Sequence, residues 1–323
     1  MLASCRCSVV LWFVSFAAVR AQLAHGPLAG AEAENPYTGW VVDHFTGTSP
    51  SVRDGVLRIT GNARSYLVKD FRTRTWRSHE YVRIDLNKES LRFTIDLSEV
   101  PCGCLACVYL VTMGDPTVDQ SNYCDAAENV HPGIDGGLCV ELDLLEANNH
   151  AIQTAIHTEA GGTYGSGRCD RNGCFARVGG PMAPASYKWG YGSGFGYSID
   201  TKKSFDVVAG VTTGGELVVR LLQVDHMGTQ HEIVAFNRSM AGNPQGKGVP
   251  SSALEATSLA MGKLALVASM WSAPDLSWID GGCHYCRLDD AAFTISNLHV
   301  TSSPPHPPPR PPLPSPPPPC PPP

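Results

Sequence analysis

The chain is poor in charge, and poorer still in positive charge. Only 17% of its 323 residues are charged, and 30 Asp and Glu outnumber 24 Lys and Arg to leave a formal net charge of −6. That balance offers no basic patch for phosphates, which argues against a nucleic-acid binder and against docking on an anionic membrane. A neutral polysaccharide suits it. Long apolar runs are missing too. The single candidate, Val9 to Ala18, is shorter than the ~20 residues that span a bilayer. With Arg6 before it and Val19-Arg20-Ala21 after it, the run reads as the core of a secretory signal over residues 1–21. Helical periodicity is nearly absent: only Ser251 to Leu259 has it. No strand-helix alternation is visible, which disfavours an α/β fold, and there is no internal repeat.

What the chain does have is glycine, cysteine and short alternating runs. Its 43% hydrophobic residues are enough for a core, and 32 glycines supply many turns. Residues 22–36 are small and polar and read as a flexible leader. Then come runs with period two: Gly55 to Thr60, Ser65 to Val68, Tyr81 to Leu86, Leu91 to Leu97 and Ala106 to Met113. Later ones are Phe205 to Thr213, Glu216 to Val224, Lys263 to Trp271 and Ala292 to Val300, with Thr213-Gly214-Gly215-Glu216 as a tight hairpin. This pattern predicts an all-β, two-sheet antiparallel β-sandwich over residues 37–302, a size one such domain can reach. Residues 303–323 collapse to proline and predict an extended polyproline tail, a spacer or a contact to a cell wall. Twelve cysteines fit an exported, extracellular protein, and Asn237-Arg238-Ser239 is a glycosylation acceptor motif.

The stretch that carries chemistry is Cys139 to Asn149, CVELDLLEANN, with carboxylates at Glu141, Asp143 and Glu146 inside an apolar segment. On a strand Glu141 and Asp143 share a face, but Glu146, five residues on from Glu141, falls on the other. A β-bulge near Leu144-Leu145 restores it, and bulges recur beside active sites. Two carboxyls on one wall, about 5–5.5 Å apart, are the machinery of a retaining glycosidase. Asp143 between them would set the charge of Glu141. An acidic edge strand or a calcium site is the alternative reading of the same three acids.

The continuation ELDLLEANN resembles the catalytic strand of glycoside hydrolase family 7, the cellobiohydrolases and endoglucanases that cut cellulose. The similarity continues in order from about Gly55 to Val300. It takes in NARSYLV, LRFTIDLSEVPCGCLACVYLVTM, NYCDAA, GGTYGSGRCDRNGC and LALVASMWSAPDLSWIDG. The resemblance implies a jelly-roll, concanavalin A-like sandwich and a β-1,4-glucanase acting with retention, without cofactor or metal, as a monomer. It implies Glu141 as nucleophile, Glu146 as acid then base, Asp143 as the partner of Glu141, and His157 beside Glu146 holding its proton. Arg64, Tyr109, Tyr123 and Asp125 become sugar contacts, and Trp271 and Trp278 become sugar platforms. It further implies a Cys124–Cys139 bridge, a bridge from Cys102 to Cys283 or Cys286, and, their usual partners being absent, pairing of Cys169 with Cys174. A second family bridge has lost both halves, at Glu128 and Leu138. The chain is short between Gly180 and Met261 and before Gly55, so an open cleft and endo action are expected rather than a tunnel. Two other readings stay open: a laminarinase-type β-1,3-glucanase, which shares E-x-D-x-x-E, and a non-catalytic carbohydrate-binding wall protein.

Overall fold

The computed structural model describes residues 24–27, 38–44, 51–72, 80–116, 121–126, 139–158, 169, 172–242, 248–283 and 286–302. The expected signal, the proline tail, Glu128, Leu138 and all of Gly161 to Arg168 lie outside them. Within them the chain forms two stacked antiparallel sheets. The first runs β1 (Ala24–Pro27), β2 (Gly39–His44), β5 (Ala63–Val68), β17 (Leu264–Trp271), β8 (Leu105–Thr112), β9 (Glu141–Ala147), β10 (Ala151–His157) and β11 (Cys174–Gly179), with β6 (Arg83–Ile84) also on β17. The second runs β16 (Gln230–Phe236), β15 (Leu217–Val224), β14 (Phe205–Val211), β7 (Glu89–Glu99), β18 (Ala292–Ser302), β4 (Val56–Thr60) and β3 (Ser51–Arg53). Two short strands, β12 (Tyr191–Gly192) and β13 (Ile199–Asp200), pair in parallel. Among the described residues, helices are limited to α1 (Ser251–Ala260), α2 (Ser277–Asp280) and a 3-10 turn at Leu288–Asp290.

Alternation builds the core. On β7, Leu91, Phe93, Ile95 and Leu97 point inward and are buried, while Arg92, Thr94 and Asp96 point away. Each such inward side chain contributes about 1.5–3 kcal/mol of burial. The C-terminal strands lock the rest: β17 inserts between β5 and β8, and β18 between β7 and β4. Neither sheet is complete until the last strand has arrived.

Unlike β7, the strands β8 and β17 are buried on both faces. Leu264, Leu266, Ala268 and Met270 face the sandwich core, whereas Ala265 and Val267 join a second cluster on the outer face of the first sheet. That cluster includes Tyr66, Tyr81, Cys107, Tyr109, Leu276 and Ile279. It is the floor on which the acids stand.

Two expectations change. Ala24–Pro27, taken as leader, pair with Gly39–His44 as an edge strand. The run Tyr81 to Leu86 is a strand only at Arg83–Ile84, because Asp85 starts a turn, accepting the backbone N–H of Asn87 on its side chain and that of Lys88 on its carbonyl. The hairpin at Thr212 to Glu216 and the helix at Ser251 form as expected. Cys124–Cys139 and Cys169–Cys174 are bonded, and Cys102 takes Cys283. A fourth bridge, Cys104–Cys286, runs beside it. No helix among the described residues is long and apolar enough to cross a membrane.

Candidate active site

The bulge on β9 lies where parity requires it. Asp143 stands opposite Ala155 and Glu146 opposite Gln153, so Leu144 and Leu145 together face Thr154 alone. The same extra residue appears against β8, between Val108 and Tyr109. Leu142, Leu144 and Leu145 all enter the sandwich core. Glu141, Asp143 and Glu146 are thereby left on the other face, above the floor of Cys107 and Tyr109. The apolar side chains choose the face, and the acids follow.

Burial sets their chemistry. Glu141 and Asp143 are 8% and 6% exposed, and Glu146 is half-buried. Loss of water pushes Glu146 up to about 8, helped by the neighbouring charge of Asp143. The Gln153 Nε2 donates to Glu146 Oε2 at 2.8 Å, and Arg177 Nε donates to Gln153 Oε1 at 2.7 Å. This relay pulls against the upward shift. Burial thus favours the protonated form of Glu146, the form that can act as an acid.

Glu141 and Asp143 titrate as a pair. Burial raises both, Asp143 to about 7, and the charge of Asp143 raises Glu141 further. Two features favour the charged form of Glu141: the charge of His157 and the backbone N–H of Ala126, which donates to Oε2 at 3.1 Å. Asp125 adds negative potential to both acids. His157 sits across from Glu141, and its Nε2 is 3.2 Å from Asp143 Oδ2. The pairing of β10 with β9 sets the ring against Asp143, and its charge also acts on Glu146, the acid it was expected to accompany. Gly173, at φ 68°, backs the ring so closely that an added Cβ would lie 2.9 Å from His157 Cε1.

The expected sugar contacts assemble beside the acids. The Arg64 guanidinium lies 3.6 Å from the ring centroid of Tyr123, and Tyr123 meets Tyr109 edge-on with centroids 6.3 Å apart. Tyr109 stands opposite Asp143. Trp271 Nε1 donates to the buried thiol of Cys107, which is itself opposite Glu146. Trp278, on α2, is 6.0 Å from the guanidinium of Arg177. So all ten expected residues fall on or beside this one face.

Sequence reading missed Gln153, Arg177, Tyr66 and Cys107 in this neighbourhood, and Asp280 below it. Asp280 is buried; it accepts N–H bonds from Gly103, Gly282 and Cys283 and from the amide of Asn148. It ties the end of β9 to α2 and to the Cys102–Cys283 bridge. A buried acid in SWIDG was the available signal.

Comparison with solved structures now decides the architecture. A GH7 family cellobiohydrolase from Daphnia pulex superposes with a TM-score of 0.57 at 16% identity, over 87% of this chain and 97% of that one. The two share one fold. In sequence, the chain is 26% identical over 258 residues to endo-beta-1,4-glucanase celB of Emericella nidulans, covering 63% of this chain and 59% of that protein. It is 28% identical over 229 residues to endoglucanase EG-1 of Hypocrea jecorina, covering 63% and 47%. The chain thus spans about half the length of these curated relatives. No family model matches it.

Proposed function

We propose that the chain is a retaining glycoside hydrolase that cuts internal β-1,4 bonds of cellulose or a related β-glucan. The observation that carries this reading is the bulged strand, which presents Glu141, Asp143 and Glu146 together on a buried face. The names of the relatives, endo-beta-1,4-glucanase and endoglucanase, choose the linkage.

Glu141 attacks the anomeric carbon while Glu146 passes its proton to the departing glycosidic oxygen; a water deprotonated by Glu146 then releases the sugar. Asp143, held by His157, positions Glu141 and shares its charge. Trp271 and Trp278 present flat faces to glucose rings, and Arg64, Tyr109, Tyr123 and Asp125 bind hydroxyls. We further propose an open cleft, an extracellular location and a monomer, with the proline tail as a spacer or wall contact.

The test uses Glu141→Gln and Glu146→Gln. The first should lose at least ~10³-fold in kcat on soluble cellulose derivatives while staying folded. The second should lose comparably on polymer yet keep most of its kcat/KM on aryl cellobiosides, whose leaving groups need no proton, while kcat falls because the water of the second step has lost its base. Normal turnover by Glu141→Gln sinks the assignment, and a first-formed α-anomer in the product rules out retention. Faster cleavage of β-1,3-glucan would move the enzyme to the laminarinase type.

A further inference from the structure

Among the described residues a cavity lies on the opposite side of β11 from the acids. Alternation along that strand sends Arg177 toward Gln153 and Glu146, and Val178 the other way, into the core. Where β11 meets β16, residues 180–198 fold over the edge and leave a cavity of about 540 Å³. Its size is within the roughly 300–1,000 Å³ of small-ligand sites. Tyr187 and Ile233 give it an apolar wall, Ser186 and Ser198 give it hydroxyls, and Trp189 also lines it.

Three features point to the ligand. Trp189 is 70% exposed, so its indole adds little to the fold, yet it is not isolated: its ring lies 5.5 Å from that of Tyr197 at 35°. None of the lining residues carries a charge, which selects a neutral ligand among the described surroundings. And the floor is shaped by an absent side chain: a Cβ on Gly190 would come within 2.8 Å of Val178 Cγ1 and 3.5 Å of Ile233 Cδ1. A flat aromatic next to uncharged hydrogen-bonding groups matches a pyranose, which has an apolar C–H face and a rim of hydroxyls.

We propose that this cavity is a second carbohydrate site, which holds a short segment of a neutral β-glucan and keeps the polymer on the enzyme while the catalytic face works. The proposal rests on the glucanase reading for its choice of sugar; the cavity itself does not depend on it.

The experiment is affinity electrophoresis in gels containing hydroxyethylcellulose, with mixed-linkage and β-1,3-glucan gels alongside. The protein carries Glu141→Gln to stop digestion and is made in an oxidising bacterial compartment, so that Asn237 bears no glycan. Trp189→Ala removes the platform; Ser186→Arg, at an exposed position, blocks the mouth without touching the core. Each should weaken retardation at least threefold, and in the active background each should leave kcat/KM on an aryl cellobioside within twofold while lowering activity on polymer. Parent-like retardation by both variants overturns the proposal, as does an equal fall on aryl cellobioside and polymer, or a parent that none of the three glucans retards. Failure of the glucanase reading is seen elsewhere, in the effect of Glu141→Gln on turnover.

Discussion

At the scale of single residues, the site depends on which carboxyl keeps its proton. Glu146 is pushed up to about 8 by burial and by Asp143, and the donor on Gln153 partly offsets this. In the proposed role of general acid Glu146 acts in its protonated form, so kcat/KM should fall as pH rises through its pKa. Replacing Gln153 with Leu removes a hydrogen bond to the charged form, worth about 1 kcal/mol. The alkaline limb of the kcat/KM profile should then move up by about 0.5–1 pH unit. A residue of structural importance alone would lower activity at every pH and leave the limb in place. The three acids were legible in the sequence because carboxylates in an apolar run are costly and demand a use. Gln153 and Arg177 were not, because their role depends on which residue of β10 and β11 faces Glu146. That register is set by pairing between strands, and nothing local in AIQTAIH or CFARVG encodes it.

At the scale of elements, parity alone located the bulge: five residues separate Glu141 from Glu146, and one extra residue is needed to keep them together. What parity could not give was the support at the end of that strand. Asn148 closes the turn from β9 to β10, its Oδ1 accepting the N–H groups of His150 and Ala151, and its amide reaches Asp280. Asp280 also accepts from Gly103, Gly282 and Cys283, so one carboxylate joins β9, α2 and the segment before β8. Asp280→Asn keeps the shape but turns an NH₂ toward donors, leaving buried N–H groups unmatched at a cost of about 2–3 kcal/mol. Calorimetry should register this as a Tm lower by about 5–10 °C. Because α2 also carries Trp278, KM for cello-oligosaccharides should rise together with the loss of stability. An unchanged Tm would mean that Asp280 is not the joint described here.

At the scale of the whole molecule, period-two runs and the lack of helical periodicity were enough to read a two-sheet sandwich. They could not reveal that β17 and β18 insert between strands from the first third of the chain, since pairing partners more than a hundred residues apart leave no trace in local pattern. The folded chain also buries its acids, so the fold carries a cost for its chemistry, and pH exposes it. In the unfolded chain Glu146 titrates near 4.5 and Asp143 near 3.8; folding raises them to about 8 and about 7. Between those values the unfolded state binds fewer protons than the folded one, so stability must fall as pH rises. The contribution is complete below about pH 4 and lost by about pH 8. For Glu146 alone it is on the order of 4 kcal/mol. Asp225, held down at about 2 by His231 and by backbone N–H groups of Thr229 and Met227, has the opposite sign but acts only below its ordinary range, outside this window. Chemical denaturation at pH 5 and pH 8 should therefore show the wild type markedly weaker at pH 8. Glu146→Gln, which has no proton to lose, should narrow that difference by a few kcal/mol. If the variant and the wild type lose stability in parallel, the general acid is not held protonated by the fold, and another group must donate to the leaving oxygen.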